Sequence, residues 1–298
     1  MKKISLLLLC ILLISCNEPQ RLKYKNITLD NSLLWQISGN GLATPCYLFG
    51  TDHLLGGNFL DTLPYVMEKF RQCKAVATEV DFESEPDEYK SHIILKNDSL
   101  SHLFTSVEFA EINKTFAQYV PARWSYKTFD RLKPAYIHDD LYYAIAPRTL
   151  SKTNHHLDKY FREAGRVMGY KIIGLESVAF HDSLLFDAPL ALQKSNLLYL
   201  VRHIDHIRKL TEESLELYRK QDLNGMENHQ SLKNGYTDKY IYQYVASRNS
   251  NWLDELPAIM KDQPTFIAVG AAHLLWNCGL IKQLRLKGYT VTPIVHGS

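Results

Sequence analysis

The sequence lacks the motifs on which several common enzyme classes depend. Its five cysteines include no C-x-x-C pair, which argues against a thiolate zinc site or a dithiol redox centre. It has no H-E-x-x-H zinc helix, no G-x-S-x-G nucleophile turn, no P-loop and no G-x-G-x-x-G dinucleotide loop. Any hydrolytic chemistry must therefore use a different set of residues.

An excess of charge of either sign is also lacking. The chain has 34 basic and 32 acidic residues, and the difference is accounted for by Lys2 and Lys3 at the N-terminus. Once an export signal carrying these two lysines is removed, the mature chain has no formal net charge. It then lacks the basic footprint of a nucleic-acid-binding protein, so we expect no nucleic-acid partner.

The apolar run near the N-terminus is too short for a comfortable membrane span. Because it follows two lysines, it indicates a bacterial signal peptide over residues 1–15. The run ends in Leu13-Ile14-Ser15-Cys16, which resembles the lipobox of bacterial lipoproteins, where cleavage precedes a lipidated cysteine. We therefore expect a lipid on Cys16 and a membrane-anchored protein of the bacterial cell envelope, facing the periplasm or the cell surface. A plain signal peptide or an N-terminal membrane anchor is the alternative.

Residues 16–31 are mostly polar and predict a tether between the lipid and the folded domain. Three cysteines then remain in an oxidising compartment, and one of them must stay unpaired. They are expected to be small core residues, with at most one disulfide. The three are Cys46, Cys73 and Cys278.

Four short apolar runs end at polar or ionisable residues, as buried strands do. Helical spacing separates them, and residues 196–218 and 236–260 are expected to be helical. A helix at 280–287 precedes a last strand in which Pro293 indicates an edge. Over residues 32–298 we expect an α/β domain: a central mixed, largely parallel sheet built from two related halves, flanked by helices, with a helical middle subdomain. The four runs are 46–49, 75–77, 171–173 and 265–269.

A Gly-x-x-His motif follows two of these runs, at 50–53 and at 270–273, and a glutamate follows each of the other two. Glycine after a buried strand permits a tight turn that other residues would strain. Ligands of open α/β sheets bind at the carboxyl ends of the strands, so the four side chains are expected to converge. They are His53, Glu79, Glu176 and His273.

Two imidazoles and a carboxylate suit a divalent transition metal such as manganese, cobalt or zinc. We therefore predict a metal held by His53, His273 and Glu79, with catalytic roles for Glu79, Glu176 and Arg248. The second carboxylate would act as general base or orient a ligand histidine. Arg248 would bind an anionic substrate end or a developing oxyanion.

Each of these residues also has a structural interpretation. A single Gly-x-x-His is common at strand–helix turns, either glutamate could cap a helix or pair with a lysine, and Arg248 could form a surface ion pair. Four other histidines are expected to be solvated or structural. They are His155, His156, His203 and His206.

Along most of the mature chain the sequence resembles the TraB/GumN family, which includes the Tiki-type metalloproteases and is related to erythromycin esterase-like and haem-binding ChaN-like proteins. The matching segments are YLFGTDHLL (47–55), VATEVD (76–81), LDKYFREAGRVMGYKIIGLES (157–177), LYRKQDL (217–223), SRNSNW (247–252) and FIAVGAAHLLWNCGLIKQLRLKGYTV (266–291). The resemblance implies that His53 and His273 belong to the two family G-x-x-H motifs, and Glu79, Glu176 and Arg248 to its early glutamate, G-L-E segment and R-N pair. Asp52 departs from the family, in which an apolar residue is usual.

The Tiki branch consists of divalent-metal-dependent proteases, so the resemblance implies a metal-dependent hydrolase, and a peptidase is expected. Its substrate would be a peptide or another small molecule, reached from a lipid anchor at Cys16. The alternative is a non-catalytic lipoprotein of the same fold that binds a peptide or a haem-like ligand. An inactive structural relative is the third possibility.

Overall fold

The computed structural model of the chain describes residues 28–83, 93–120, 129–232 and 237–295. The expected signal peptide, Cys16 and most of the expected tether lie outside these ranges. Within them, no helix is both long enough and apolar enough to cross a membrane.

One sheet of six strands organises the described structure. The strands are β1 (Leu34–Ser38), β2 (Cys46–Thr51), β3 (Ala75–Thr78), β4 (Lys171–Gly174), β5 (Thr265–Gly270) and β6 (Thr290–Ile294). Their order is β4-β3-β5-β2-β1-β6. Strands β4, β3, β5 and β2 run parallel to one another, whereas β1 is antiparallel to both β2 and β6. The prediction of an α/β fold with a mixed, largely parallel sheet is confirmed.

The four apolar runs form β2, β3, β4 and β5, but they are not equally buried. Every residue of β2 and β3 is buried, as is β5 up to its last glycine. The expectation of burial was wrong for β4, which has exposed and half-buried residues because it pairs with β3 alone. At the opposite edge, Pro293 lies in β6, which pairs only with β1, so the prediction that Pro293 marks an edge strand is confirmed.

Twelve α-helices occur within the described ranges and surround the sheet. They are α1 (Pro64–Phe70), α2 (Leu100–Leu103), α3 (Ser106–Tyr119), α4 (Pro134–Ile145), α5 (Leu157–Val167), α6 (Val178–Phe186), α7 (Leu190–Arg202), α8 (Ile204–Arg219), α9 (Leu223–Leu232), α10 (Asp238–Ile241), α11 (Ser247–Asp262) and α12 (Leu280–Leu286). Short 3₁₀-helices at Gly57–Thr62 and Ala271–Leu274 and a π-helix at Tyr242–Ala246 complete these elements.

Two stretches expected to be continuous helices are interrupted. The stretch 196–218 breaks at His203. The imidazole Nδ1 of His203 bonds to the carbonyl of Tyr199, and its backbone N–H donates to the carbonyl of Leu200. The stretch 236–260 contains the π-helix, which inserts a wider turn between α10 and α11. Helix α5 is followed, after Met168, by Gly169, whose φ of 72° is the left-handed conformation that commonly ends a helix.

Two apolar cores stabilise the described structure. The larger lies against the sheet, where the ring of Phe161 on α5 packs 5.5 Å from Phe49 and 4.8 Å from Phe266. The smaller is built mainly from α2, α3, α4 and α7, with Phe116 of α3 packed 5.0 Å from Phe129. Helix α4 borders both cores and carries side chains from the helical core to the sheet edge. The helical middle subdomain expected from the sequence corresponds to this second core.

The three cysteines of the folded domain are buried and free. Burial raises the pKa of each thiol, to about 12 for Cys278. They behave as the small core residues expected from the sequence, and no disulfide forms among them.

Candidate functional site

The strand-end residues converge at one edge of the sheet, as expected for neighbouring parallel strands. Glu79 lies at the centre of the group. Its carboxylate is 3.7 Å from Nε2 of His273 and 2.6 Å from Arg248, which also bonds Glu176. On its other side, a ligand atom of His53 lies within 4.8 Å of it. The parallel packing of β2, β3, β4 and β5 therefore builds one site from four distant segments.

The glycines of the two G-x-x-H motifs are needed for close approach. A Cβ at Gly50 would lie 3.1 Å from both Cα and Cβ of Ala271, in the second motif. A Cβ at Gly270 would lie 3.0 Å from the Glu79 carboxylate, to which the Gly270 N–H donates at 2.8 Å. Neither glycine has a positive φ. The expectation that they serve a tight turn was wrong: they let the two motifs and Glu79 pack together.

His273 is buried and fully engaged. Its Nδ1 donates to the Asn249 side-chain oxygen at 2.7 Å, and the Asn249 amide nitrogen donates to the carbonyls of His273 and Cys278. This leaves the Nε2 lone pair, which accepts a bond from Arg248 at 3.1 Å. Burial lowers the pKa of His273, and the Arg248 cation lowers this pKa further. The opposing effect of the Glu79 charge is not large enough to restore it, and the pKa is about 3. The imidazole is therefore neutral and in a fixed tautomer.

Arg248 uses all five of its N–H groups within the described structure. Nε and one Nη2 hydrogen donate to the two oxygens of Glu176 at 3.0 and 2.5 Å, and the other Nη2 hydrogen donates to Glu79. Nη1 donates to His273 and to the carbonyl of Tyr244 at 3.3 Å. An anionic substrate group or an oxyanion could bind Arg248 only if one of these bonds broke.

The electrostatics follow from this bonding. Burial alone would raise the pKa of Glu79, but the charge of Arg248, with smaller contributions from His273, His53 and the Gly270 N–H, holds it well below its usual range. The same carboxylates raise the pKa of Arg248, although burial opposes its charge. Glu79 and Arg248 are thus both charged near neutral pH, and each charge stabilises the other.

The His53 side of the site is more open. The His53 side chain is 41% exposed, and its Nε2 lies 3.4 Å from Oδ2 of Asp158, which is only 6% exposed. Asp158 comes from the start of α5, and its other oxygen accepts a bond from the hydroxyl of Thr51 at 2.9 Å. Nδ1 of His53 lies 3.2 Å from the hydroxyl of Tyr143 on α4. Helix α4, which borders both cores, thus contributes one residue to the site.

One buried oxygen on this side has no hydrogen bond. Oδ2 of Asp158 accepts no hydrogen bond from the described residues. The buried Nδ1 of His156, 3.5 Å from this oxygen, also makes no hydrogen bond within the described structure. The ring of His156 lies 5.3 Å from that of His53. His156 therefore lies beside the site but belongs to neither group of potential metal ligands, and the expectation that it is solvated or structural stays a prediction. His155 does fit it, since its imidazole bonds to Glu163 and to the carbonyl of Lys152.

The extra carboxylate of the first motif has a local role. Oδ1 of Asp52 accepts a bond from the N–H of Leu54 at 2.8 Å, which closes the turn that carries His53. Burial raises the pKa of Asp52. Among the groups that raise the pKa of His53, against the effect of its burial, Asp158 is the strongest, followed by Glu79, Asp52 and Asp139.

The residues on this side fit a divalent metal. Ligand atoms of His53, Glu79 and Asp158 all lie within 4.8 Å of one another. Two ligand atoms on a tetrahedral ion at about 2.1 Å are about 3.4 Å apart, and His53 and Asp158 have this spacing. A cation there would also satisfy the unpartnered Asp158 oxygen, which is otherwise costly to bury. His273 is not part of this group, and its Nε2 already accepts a hydrogen bond from Arg248.

Sequence patterns indicated the strand-end residues but missed others in the site. Asp158 lies one residue into a helix, where an acidic residue ordinarily complements the helix dipole, so nothing marked it as buried. Asn249 was visible only as the neighbour of Arg248. His181, near the start of α6, has a ligand atom within 4.8 Å of Glu79 and Glu176, and it follows Glu176 closely enough in sequence to have been suspected.

Comparison with known proteins identifies the family of the chain. A model of the TraB/PrgY/gumN family matches residues 33–293, which include all six strands almost completely and every residue of the site described above. The chain matches no curated protein and no solved structure. Since the family match covers most of the sequence, the chain belongs to the TraB/PrgY/gumN family.

Proposed function

We propose that this protein is a metal-dependent hydrolase, with peptide bonds as its substrate class. The single observation that carries the proposal is the oxygen of buried Asp158 that accepts no hydrogen bond and lies 3.4 Å from His53, with Glu79 close by. A divalent manganese, cobalt or zinc ion, when bound, supplies a Lewis acid for attack on a carbonyl. The half-exposed face of His53 gives a substrate access to this position.

The residues of the site have two roles, as ligands of the ion and as side chains that position those ligands. His53, Glu79 and Asp158 hold the ion, and Thr51 and Tyr143 orient two of these ligands through hydrogen bonds. Glu176 and Arg248 act on the centre through Glu79, whose carboxylate they fix in position. His273 was predicted as a ligand from its motif, and it can become one only if Arg248 releases its Nε2.

The test is the metal content of purified full-length protein. We expect about one equivalent in the wild type and loss of the ion in His53→Ala and in Asp158→Asn. Exposed His203, replaced by alanine, is the matched control and should retain it. Retention in His273→Ala supports the His53, Glu79 and Asp158 ligand set, whereas loss there means that Arg248 moves and His273 binds. Full metal content in both His53→Ala and Asp158→Asn contradicts the proposal.

Catalysis is tested separately with a peptide library. Cleavage that a chelator abolishes and that manganese or cobalt restores supports a peptidase. Metal binding without cleavage favours a binding protein for peptides. A Soret band on addition of haem that disappears in His53→Ala favours the haem-binding alternative.

We also propose that the protein is a lipoprotein of the bacterial cell envelope, anchored through Cys16. The support is the N-terminal sequence alone: two lysines, a short apolar run and Ser15 before the cysteine. Replacement of Cys16 by serine should move the protein from the membrane fraction to the soluble fraction. Persistence in the membrane fraction would contradict lipidation at this residue.

A further inference from the structure

A second group of potential metal ligands adjoins the first. Ligand atoms of Glu79, Glu176 and His181 lie within 4.8 Å of one another, and Glu79 belongs to both groups. In hydrolases with two metals, the ions lie about 3.5–4 Å apart. The geometry around Glu79 therefore has the form of a two-cation centre with one shared carboxylate.

His181 is arranged as metal-binding histidines are. Its Nδ1 lies 3.3 Å from a carboxylate oxygen of Asp182, which is only 1% exposed. When Nδ1 donates its hydrogen to this carboxylate, the lone pair of the imidazole is on Nε2. A carboxylate behind the imidazole is the usual support of a metal-ligating histidine. The ring of Phe82 packs edge-on against His181 at 5.6 Å, and Nε2 makes no hydrogen bond to any described residue.

The second position already contains a cation. Nη2 of Arg248 lies 2.6 Å from Glu79 and 2.5 Å from Glu176, between the two carboxylates that would bind a second ion. The guanidinium neutralises them and is held there by its bonds to His273 and Tyr244. An ion and the guanidinium cannot both occupy this space, because a second cation would be repelled at such short distances.

We propose that Glu79, Glu176 and His181 form a second divalent-cation site whose place is taken by the guanidinium of Arg248. The protein is then a one-metal version of a two-metal centre, with Arg248 as the substitute for the second ion. Removal of the guanidinium opens the site. The count of one ion in the wild type rests on the proposed function, but the gain of one ion on loss of Arg248 does not.

The experiment titrates manganese into metal-free full-length protein and compares the wild type with Arg248→Met. We expect the variant to bind one equivalent more than the wild type. Two manganese ions that share Glu79 should also give an exchange-coupled electron paramagnetic resonance spectrum, which ions bound at scattered surface sites do not give. In Arg248→Lys the ammonium retains a positive charge, so the extra ion should be absent.

Two further variants assign the ligands. His181→Asn in the Arg248→Met background should abolish the extra equivalent, whereas His181→Asn alone should leave the wild-type count unchanged. Arg202→Met is the matched control, because it removes an exposed arginine whose partner is Glu111, away from the site. It should bind as the wild type does.

The outcomes separate the two proposals. A wild type without metal and an Arg248→Met variant with one ion would overturn the first site and support the second. No additional ion in Arg248→Met, or an additional ion that persists without His181, would overturn the second site. Since manganese should replace the missing charge, failure of Arg248→Met to fold even when refolded with manganese also counts against it.

Discussion

The two sides of Glu79 differ although each is built around a G-x-x-H motif. On the His273 side the imidazole is buried, its tautomer is fixed by Asn249, and Arg248 has no donor left. On the His53 side the imidazole is 41% exposed and faces a carboxylate oxygen that has no hydrogen bond. The two motifs therefore have different roles: the His273 side provides rigid support, and the His53 side provides open coordination positions.

The difference comes from the neighbouring elements and not from the motifs. The second motif packs under α11, which supplies Arg248, Asn249 and a Trp252 ring 4.4 Å from His273. The first motif faces the start of α5 and a tyrosine of α4, which leave one edge of the imidazole free. A paired motif thus does not imply paired ligands, and metal binding is expected to depend on the open side.

Stability provides the strongest test of this asymmetry. Glu176→Gln removes one carboxylate of the buried Arg248 cluster, and breaking a buried ion pair of this kind costs about 3 kcal/mol of unfolding free energy. His53→Ala removes a half-exposed ring and one hydrogen bond to Tyr143, which costs at most about 1 kcal/mol. Urea unfolding with a chelator present measures both without a contribution from bound metal.

A matched control is Asp262→Asn, which removes the acidic partner of Lys171 where both side chains are largely exposed. Such surface pairs contribute little, so its unfolding midpoint should hardly change. Equal losses of stability in Glu176→Gln and His53→Ala would contradict the assignment of rigid support to the His273 side alone.

How much of this was predictable depends on what each residue's neighbours in sequence reveal. His53, Glu79, Glu176 and His273 were predictable because each lies within three residues of the end of a strand that an apolar run predicted, and parallel strands end at one edge. Asp158 was not, because an aspartate at a helix start is ordinary and its burial depends on contact with Thr51, more than a hundred residues away in sequence.

The roles of the residues were harder to predict than their positions. Arg248 follows a π-helical turn, and the carbonyl of Tyr244 within that turn accepts one of its N–H bonds. A regular helical projection from the sequence would therefore place the arginine incorrectly. Its five bonds depend on tertiary packing, so sequence reasoning assigned it to substrate when the structure commits it to Glu79, Glu176 and His273.

The pH dependence of metal binding should show the same asymmetry, with a smaller effect. Nearby carboxylates raise the pKa of His53 above its ordinary value of 6.5 despite its burial. The pKa values of Glu79 and Asp158 are lowered, so both stay ionised near neutrality. Metal binds unprotonated imidazole, so affinity is complete above the His53 pKa and is lost as the pH falls through it, by about tenfold per unit for one competing proton.

Competition with a chelating dye between pH 5 and 8 measures this slope, and the His156→Asn variant is the necessary control. His156 is the other imidazole beside Asp158, and its removal should leave a slope of one proton if His53 is the titrating ligand. His273, with a pKa of about 3, stays neutral throughout this range and contributes nothing to the slope. An affinity independent of pH from 5 to 7 would mean that His53 does not bind the ion. Metal binding would then no longer distinguish the His53 side of the site from the His273 side.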